Sequence, residues 1–184
     1  MKQRTIWPLI LLAISMLAPA APAQERTPGS NIAKATWSDY RDMYPQSPLC
    51  AEEEITLWTC ESPQQMFSLC SSRVMTRTSG YMQYRASRNG KRTLTYPAEK
   101  KPPFGLFKYT PSANGDAWLE FTNNEYQYSL LDPLRGESSI LVAGPGLSGD
   151  TMKIKCGGNQ TLQLNYTMRL MYDSGVWQIS GHDD

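Results

Sequence analysis

Few side chains in this sequence could carry chemistry, and the types that are scarce decide as much as those present. The one histidine is His182, beside the C-terminus. A Ser-His-Asp or Cys-His arrangement would have to use it, and a chain end holds a base poorly within hydrogen-bond reach. Gly146-Leu147-Ser148-Gly149 approaches a nucleophile elbow, but Asp150 stands where the last glycine of G-x-S-x-G belongs. Glycoside hydrolysis needs only two carboxylates, and Glu120, Glu125, Asp132 and Glu137 are available. No group has the ligand spacing of a zinc or calcium site, so no metal or cofactor is expected.

The cysteines are Cys50, Cys60, Cys70 and Cys156. They form no CxxC pair, which disfavours zinc and thiol redox catalysis and favours two structural disulfides. Of the three pairings, the expectation is Cys60–Cys70 closing a local loop and Cys50–Cys156 tying the N-terminal segment to the last strand. Charge is unevenly spread. Residues 73–101 hold Arg73, Arg77, Arg85, Arg88, Lys91, Arg92, Lys100 and Lys101 against Glu99 alone. Residues 116–137 hold Asp116, Glu120, Glu125, Asp132 and Glu137 against Arg135. A basic region and an acidic one are therefore predicted. Tyr81, Arg85, Arg88 and Lys91 form a candidate partner-binding surface, since Tyr and Arg are enriched at binding hot spots.

The first 23 residues set the compartment. Lys2 and Arg4 precede an apolar run from Ile6 to Leu17, and Ala21-Pro22-Ala23 offers a cleavage site. This is the pattern of a cleaved secretory signal, which places the cysteines in an oxidising compartment, periplasmic or outside the cell. The remainder is close to neutral, so no global field recruits nucleic acid, and no second apolar run predicts a membrane span. Asn159-Gln-Thr161 and Asn165-Tyr-Thr167 fit the glycosylation triplet, which arises often by chance.

The elements that must position these residues are mostly strands. Residues 24–49 read as a mobile leader with one short helix before Pro45, and residues 50–184 as a single β domain. Apolar alternation marks runs at 55–60, 66–71, 80–87, 92–97, 104–110, 117–122, 125–131, 138–143 and 151–156. This rhythm predicts a mainly β fold: an antiparallel barrel or sandwich of about eight strands, stapled by disulfides, with one or two short helices. A two-residue Asn123-Asn124 loop would set Phe121 opposite Tyr126, Leu119 opposite Tyr128 and Ala117 opposite Leu130. A three-residue Arg88–Gly90 loop would set Tyr84 opposite Leu94 and Met82 opposite Tyr96, turning Tyr81, Gln83 and Arg85 away from the core. Leu164, Met168 and Met171 predict a helix near 162–173 capped by Gly175, and Val176–Ile179 a last short strand.

Phe67-Ser68-Leu69-Cys70-Ser71-Ser72, Gly80-Tyr81-Met82-Gln83-Tyr84-Arg85, Gly90 and Leu94-Thr95-Tyr96-Pro97 together resemble a family of exported bacterial β proteins with no assigned activity. The Phe121-to-Tyr128 hairpin and the late Cys156 fit the same outline, so the resemblance spans roughly residues 57–156. Its members usually follow that arginine with phenylalanine or glycine, where this chain has Ala86 and Ser87. The resemblance implies fold and export and supplies no catalytic residue. In size and architecture the chain is also similar to the small periplasmic β-barrel inhibitors of lysozyme, without their inhibitory loop motif. Shape alone does not carry function.

The functional expectation is an exported, non-catalytic binding protein of the cell envelope, an inhibitor of or immunity protein against an envelope-directed hydrolase. Its partner would be another envelope or secreted protein. The alternatives are a carrier holding a small molecule in a barrel mouth and, behind it, a two-carboxylate glycan hydrolase.

Overall fold

The computed structural model of the chain describes residues 31–145, 151–157 and 165–178. The predicted export signal at 1–23, the Gly146–Asp150 loop, the Asn159 triplet, Leu164, Ile179 and His182 lie outside the described residues. A strand forms in each predicted run, although the 104–110 run is extended only from Lys108, residues 104–106 forming a turn. The first four are β1 (Ile55–Ser62), β2 (Gln65–Ser71), β3 (Met82–Arg88) and β4 (Lys91–Tyr96). Then come β5 (Lys108–Pro111), β6 (Ala117–Asn123), β7 (Tyr126–Asp132), β8 (Ser139–Ala143) and β9 (Met152–Lys155). Each pairs antiparallel with its neighbour in sequence, giving a four-stranded sheet β1-β2-β3-β4 and a five-stranded sheet β5-β6-β7-β8-β9. Among the described residues no ladder joins β4 to β5 or β1 to β9. Among the described residues no closed barrel forms, and the two sheets are compatible with a sandwich.

One core lies between the sheets. Phe67, Leu69, Tyr84 and Ala86 from the first meet Leu119, Phe121, Leu130 and Ile140 from the second. Phe121 sits at its centre. Its ring stacks on Tyr96 at 4.6 Å and on Tyr128 at 4.8 Å, and it meets Tyr84 at 5.0 Å and Phe107 at 5.4 Å. Such ring pairs add about 0.5–1.5 kcal/mol each beyond their burial.

Residues 31–49 carry the predicted short helix and pack onto the β domain. α1 (Trp37–Tyr40) opens on a capping box between Thr36 and Asp39, a turn of 3₁₀ helix spans Arg41–Met43, and Tyr40 and Tyr44 are buried in the core. The rings of Trp37 and Tyr40 pack on Tyr166 of α2 (Asn165–Asp173), and Tyr44 shares a buried hydrogen bond with Thr167. Aromatic residues at helical spacing thus bury against the last helix, which costs less than leaving four large rings in water. Gly175, at φ +69°, ends α2 by donating to Tyr172 O, as the sequence predicts. Residues 176–178 then add to the β5 edge through the bridge between Tyr109 and Trp177.

The hairpin registers keep the predicted faces but slide along the strands. In β6–β7 Phe121 faces Tyr128 and Leu119 faces Leu130, around a turn whose positive φ falls on Asn124 and Glu125. In β3–β4 the loop is the two-residue Asn89-Gly90, both at positive φ, with Arg88 opposite Lys91. A register shift between Ala86 and Ser87 then restores apolar pairing, so that Ala86 faces Leu94 and Tyr84 faces Tyr96.

The disulfides are Cys50–Cys70 and Cys60–Cys156, which corrects both predicted pairs. The reason is parity along the strand. Cys60 pairs in register with Phe67 and faces the core, whereas Cys70, three residues further on, points to the opposite face of the same sheet. Two cysteines on opposite faces cannot be bridged. Cys60 instead reaches Cys156, just past β9, and joins the two sheets through the core. In the chain-entropy account, the 96-residue separation makes this bond worth about 5 kcal/mol, against about 3 kcal/mol for the 20-residue separation of Cys50–Cys70.

Candidate functional site

The outer face of the first sheet holds the chemistry. Alternation puts Thr56 of β1, Ser68 and Cys70 of β2, and Gln83 and Arg85 of β3 on this face. A polar face normally meets water. Here residues 47–54, arriving from the N-terminal helices, cross it as a strap. Three contacts fix the strap: the Cys50–Cys70 bond, Ser47 Oγ against Ser68 Oγ at 2.5 Å, and Ser47 N–H donating to Thr56 Oγ1 at 3.0 Å.

Covering that face buries Arg85, and the strap supplies its counter-ion. Arg85 is 4 % exposed and Glu54 3 %. Arg85 Nη1 donates to Glu54 Oε2 at 2.5 Å and Nη2 to Glu54 Oε1 at 2.7 Å, a two-pronged pair. Nη1 also donates to Leu49 O at 2.8 Å, and Nη2 to Gln83 Oε1 at 2.7 Å. Gln83 is anchored in turn by donating to Pro97 O at 2.9 Å. The Glu54 carboxylate further accepts from Ala51 N–H and Tyr81 Oη, at 2.8 and 2.7 Å, and lies 3.2 Å from Lys100 Nζ. Burial pushes this carboxyl up. The hydrogen bonds from Arg85, Ala51, Tyr81 and Lys100 outweigh burial and hold it at about 2. Burial, with donation to Glu54, raises the Tyr81 phenol, although its bond from Lys100 works the other way.

The predicted partner surface is therefore split. Arg85 belongs to the buried network, because the strap roofs the face that alternation assigns to solvent. Tyr81 is half-buried beside it, with Lys100 over its ring at 4.5 Å. Arg88 and Lys91 are exposed at the tip of the β3–β4 hairpin, and Arg92 and Thr93 continue the exposed stretch. Arg92 donates to Leu49 O at 3.1 Å, the same carbonyl that Arg85 uses. Between strap and hairpin lies a trough of about 600 Å³ bordered by Leu49, Ala51, Glu54, Arg85, Arg92 and Lys100. Sequence reasoning missed Glu54, Gln83 and Arg92. The available signal was Cys70, whose outward phase on β2 meant that something must cover that face.

The carboxylates of the second sheet are dispersed. Glu120, half-buried in β6, accepts from Ser129 Oγ at 3.2 Å. Glu125 is exposed in the β6–β7 turn at φ +67°, Asp132 is buried and accepts from Ser138 Oγ, and Glu137 is exposed. Cys50, Cys70 and Glu54 stand close enough to resemble a ligand set. With the sulfurs bonded to each other and Glu54 held by Arg85, that set has no free donor for a cation. Among the described residues no helix is long and apolar enough to cross a membrane. The basic and acidic regions fall on different sheets, β3–β4 and β6–β7. The chain matches no protein-family model, no curated protein and no solved structure.

Proposed function

We propose that this chain is an exported, non-catalytic binding protein of the cell envelope that recognises another envelope or secreted protein. Inhibition of, or immunity to, an envelope-directed hydrolase is the form this reading takes. One observation carries it. The exposed Arg88, Lys91 and Arg92 sit on a hairpin whose base is fixed by a buried ion pair and a disulfide-pinned strap. A basic surface on a rigid mount binds with little ordering cost. The two disulfides agree with a periplasmic or extracellular location, and the resemblance to exported bacterial β proteins agrees with both. The carrier reading has less support, because stacked rings of Tyr84, Tyr96, Phe121 and Tyr128 fill the space between the sheets.

The test is capture from an envelope extract on the wild-type chain and on Arg88→Glu/Lys91→Glu. Both positions are exposed, so the variant should fold as the parent does. The expected result is a protein retained by the parent and retained at least about tenfold less by the variant. Equal retention removes the hairpin tip as the recognition surface.

A further inference from the structure

The trough beside the strap holds more positive charge than it uses. Arg85, Arg92 and Lys100 border it, and Glu54 is the one acidic residue among its lining. The exposed Glu52, Glu53 and Glu99 are not part of its wall. Glu54 already serves both Arg85 and Lys100, so two positive charges remain uncompensated in a concave site. Arg85 is buried, yet its Nε–H meets no acceptor among the described residues. A buried donor without an acceptor costs about 1–3 kcal/mol and calls for an explanation. The volume lies within the 300–1,000 Å³ typical of ligand clefts. Leu49 and Ala98 give the wall short apolar patches between the charges. A second hollow, of about 360 Å³, shares Pro48 and Leu49 with the first and runs on to Asn89 and Gly90 at the hairpin tip.

Resting on the binding reading above, we propose that this trough takes an extended acidic segment of the protein partner, seating its carboxylates against Arg92 and Lys100. The second hollow is bordered by Glu61 and by neither Arg88 nor Lys91, so the acidic segment is assigned to the first trough alone. Two uncompensated cations favour a chain that brings two neighbouring carboxylates over one that brings a single one, since each carboxylate adds its own charge-assisted bond.

The experiment titrates the oxidised, ¹⁵N-labelled secreted chain at low salt. The probes are acetyl-Ala-Glu-Glu-Ala-amide, its Gln-Gln counterpart and inorganic phosphate. The expected result is saturable shifts at Leu49, Ala51, Thr95 and the Arg85 Nε–H with the Glu-Glu peptide alone. Arg92→Gln should weaken that binding about tenfold; because Arg92 donates to Leu49 O, its effect on the peptide-free spectrum should stay near Leu49 and the strap. Lys100→Gln should weaken it as well. Three results overturn the assignment: no saturable shift, equal shifts with the Gln-Gln peptide, or equal shifts with phosphate, which would make this a general anion site. If the hairpin-tip variant loses its captured partner while the peptide fails to bind, the trough assignment falls and the wider reading stands. If the peptide binds and the tip variant captures normally, the trough stands and the tip falls.

Discussion

Replacing Glu54 by glutamine keeps the shape of the strap and removes the charge that Arg85 was buried against. The magnitude follows from the carboxyl's displacement. Its ordinary value of 4.5 falls to about 2 in the folded chain. At about 1.4 kcal/mol for each tenfold change in proton affinity, the ionised carboxylate contributes about 3 kcal/mol at pH 7. The same figure is expected when one partner of a buried pair is removed. The sign is that of a depressed acid. The contribution is complete above about pH 4.5 and is lost as pH falls toward 2. Urea unfolding of the oxidised parent and Glu54→Gln at pH 7 and pH 3 measures this directly. The variant should be less stable by about 3 kcal/mol at pH 7, and the gap should narrow by about 2 kcal/mol at pH 3. Glu54→Leu with Arg85→Met should be less harmful than Arg85→Met alone, because no charge is then stranded. A gap under about 1 kcal/mol at pH 7, or one that does not change with pH, refutes the claim that the ionised Glu54 stabilises the fold against the buried Arg85.

Three further outcomes follow from backbone and packing. At Gly80, φ is +76° and a Cβ would lie 2.1 Å from Val74 O, whereas at Gly90, also at +76°, a Cβ meets open space. Gly80→Ala should therefore destabilise well beyond Gly90→Ala, which should cost only about 1 kcal/mol in thermal or urea melts. Glu125→Gly places a glycine at the φ +67° position of the β6–β7 turn and should stabilise by roughly 1 kcal/mol, read as a higher urea midpoint. Phe121→Ala empties the centre of the aromatic cluster and should cost about 3–5 kcal/mol by urea unfolding, with loss of near-ultraviolet circular dichroism.

Strands were legible because half-buried strands write their faces into the sequence at period two. Ala117, Leu119 and Phe121 alternate with Trp118, Glu120 and Thr122, and all three are buried as that phase requires. Register was harder, since sliding a hairpin by two residues preserves every face. The turn decides it, and Glu125 at positive φ is a residue type that seldom advertises such a turn. The register shift between Ala86 and Ser87 likewise has no sequence signature that alternation alone can see. The candidate site was half legible. Arg88 and Lys91 are exposed where predicted, but Arg85 shows the limit of binary patterning. A polar phase reads as solvent-facing unless another segment covers it, and Glu52-Glu53-Glu54 looked like an ordinary solvated turn. Only Glu54 of that run is buried, and long-range pairing with Arg85 across 31 positions put it there.

The account turns on a strap drawn across the outer face of one sheet and locked there. Peptide mapping of the unreduced chain tests this most directly. It should find Cys50 joined to Cys70 and Cys60 joined to Cys156, with no free thiol. Four free thiols, or a Cys60–Cys70 bond, would contradict it, because the strap would be loose, Arg85 would stand open to water, and the trough above it would have no wall.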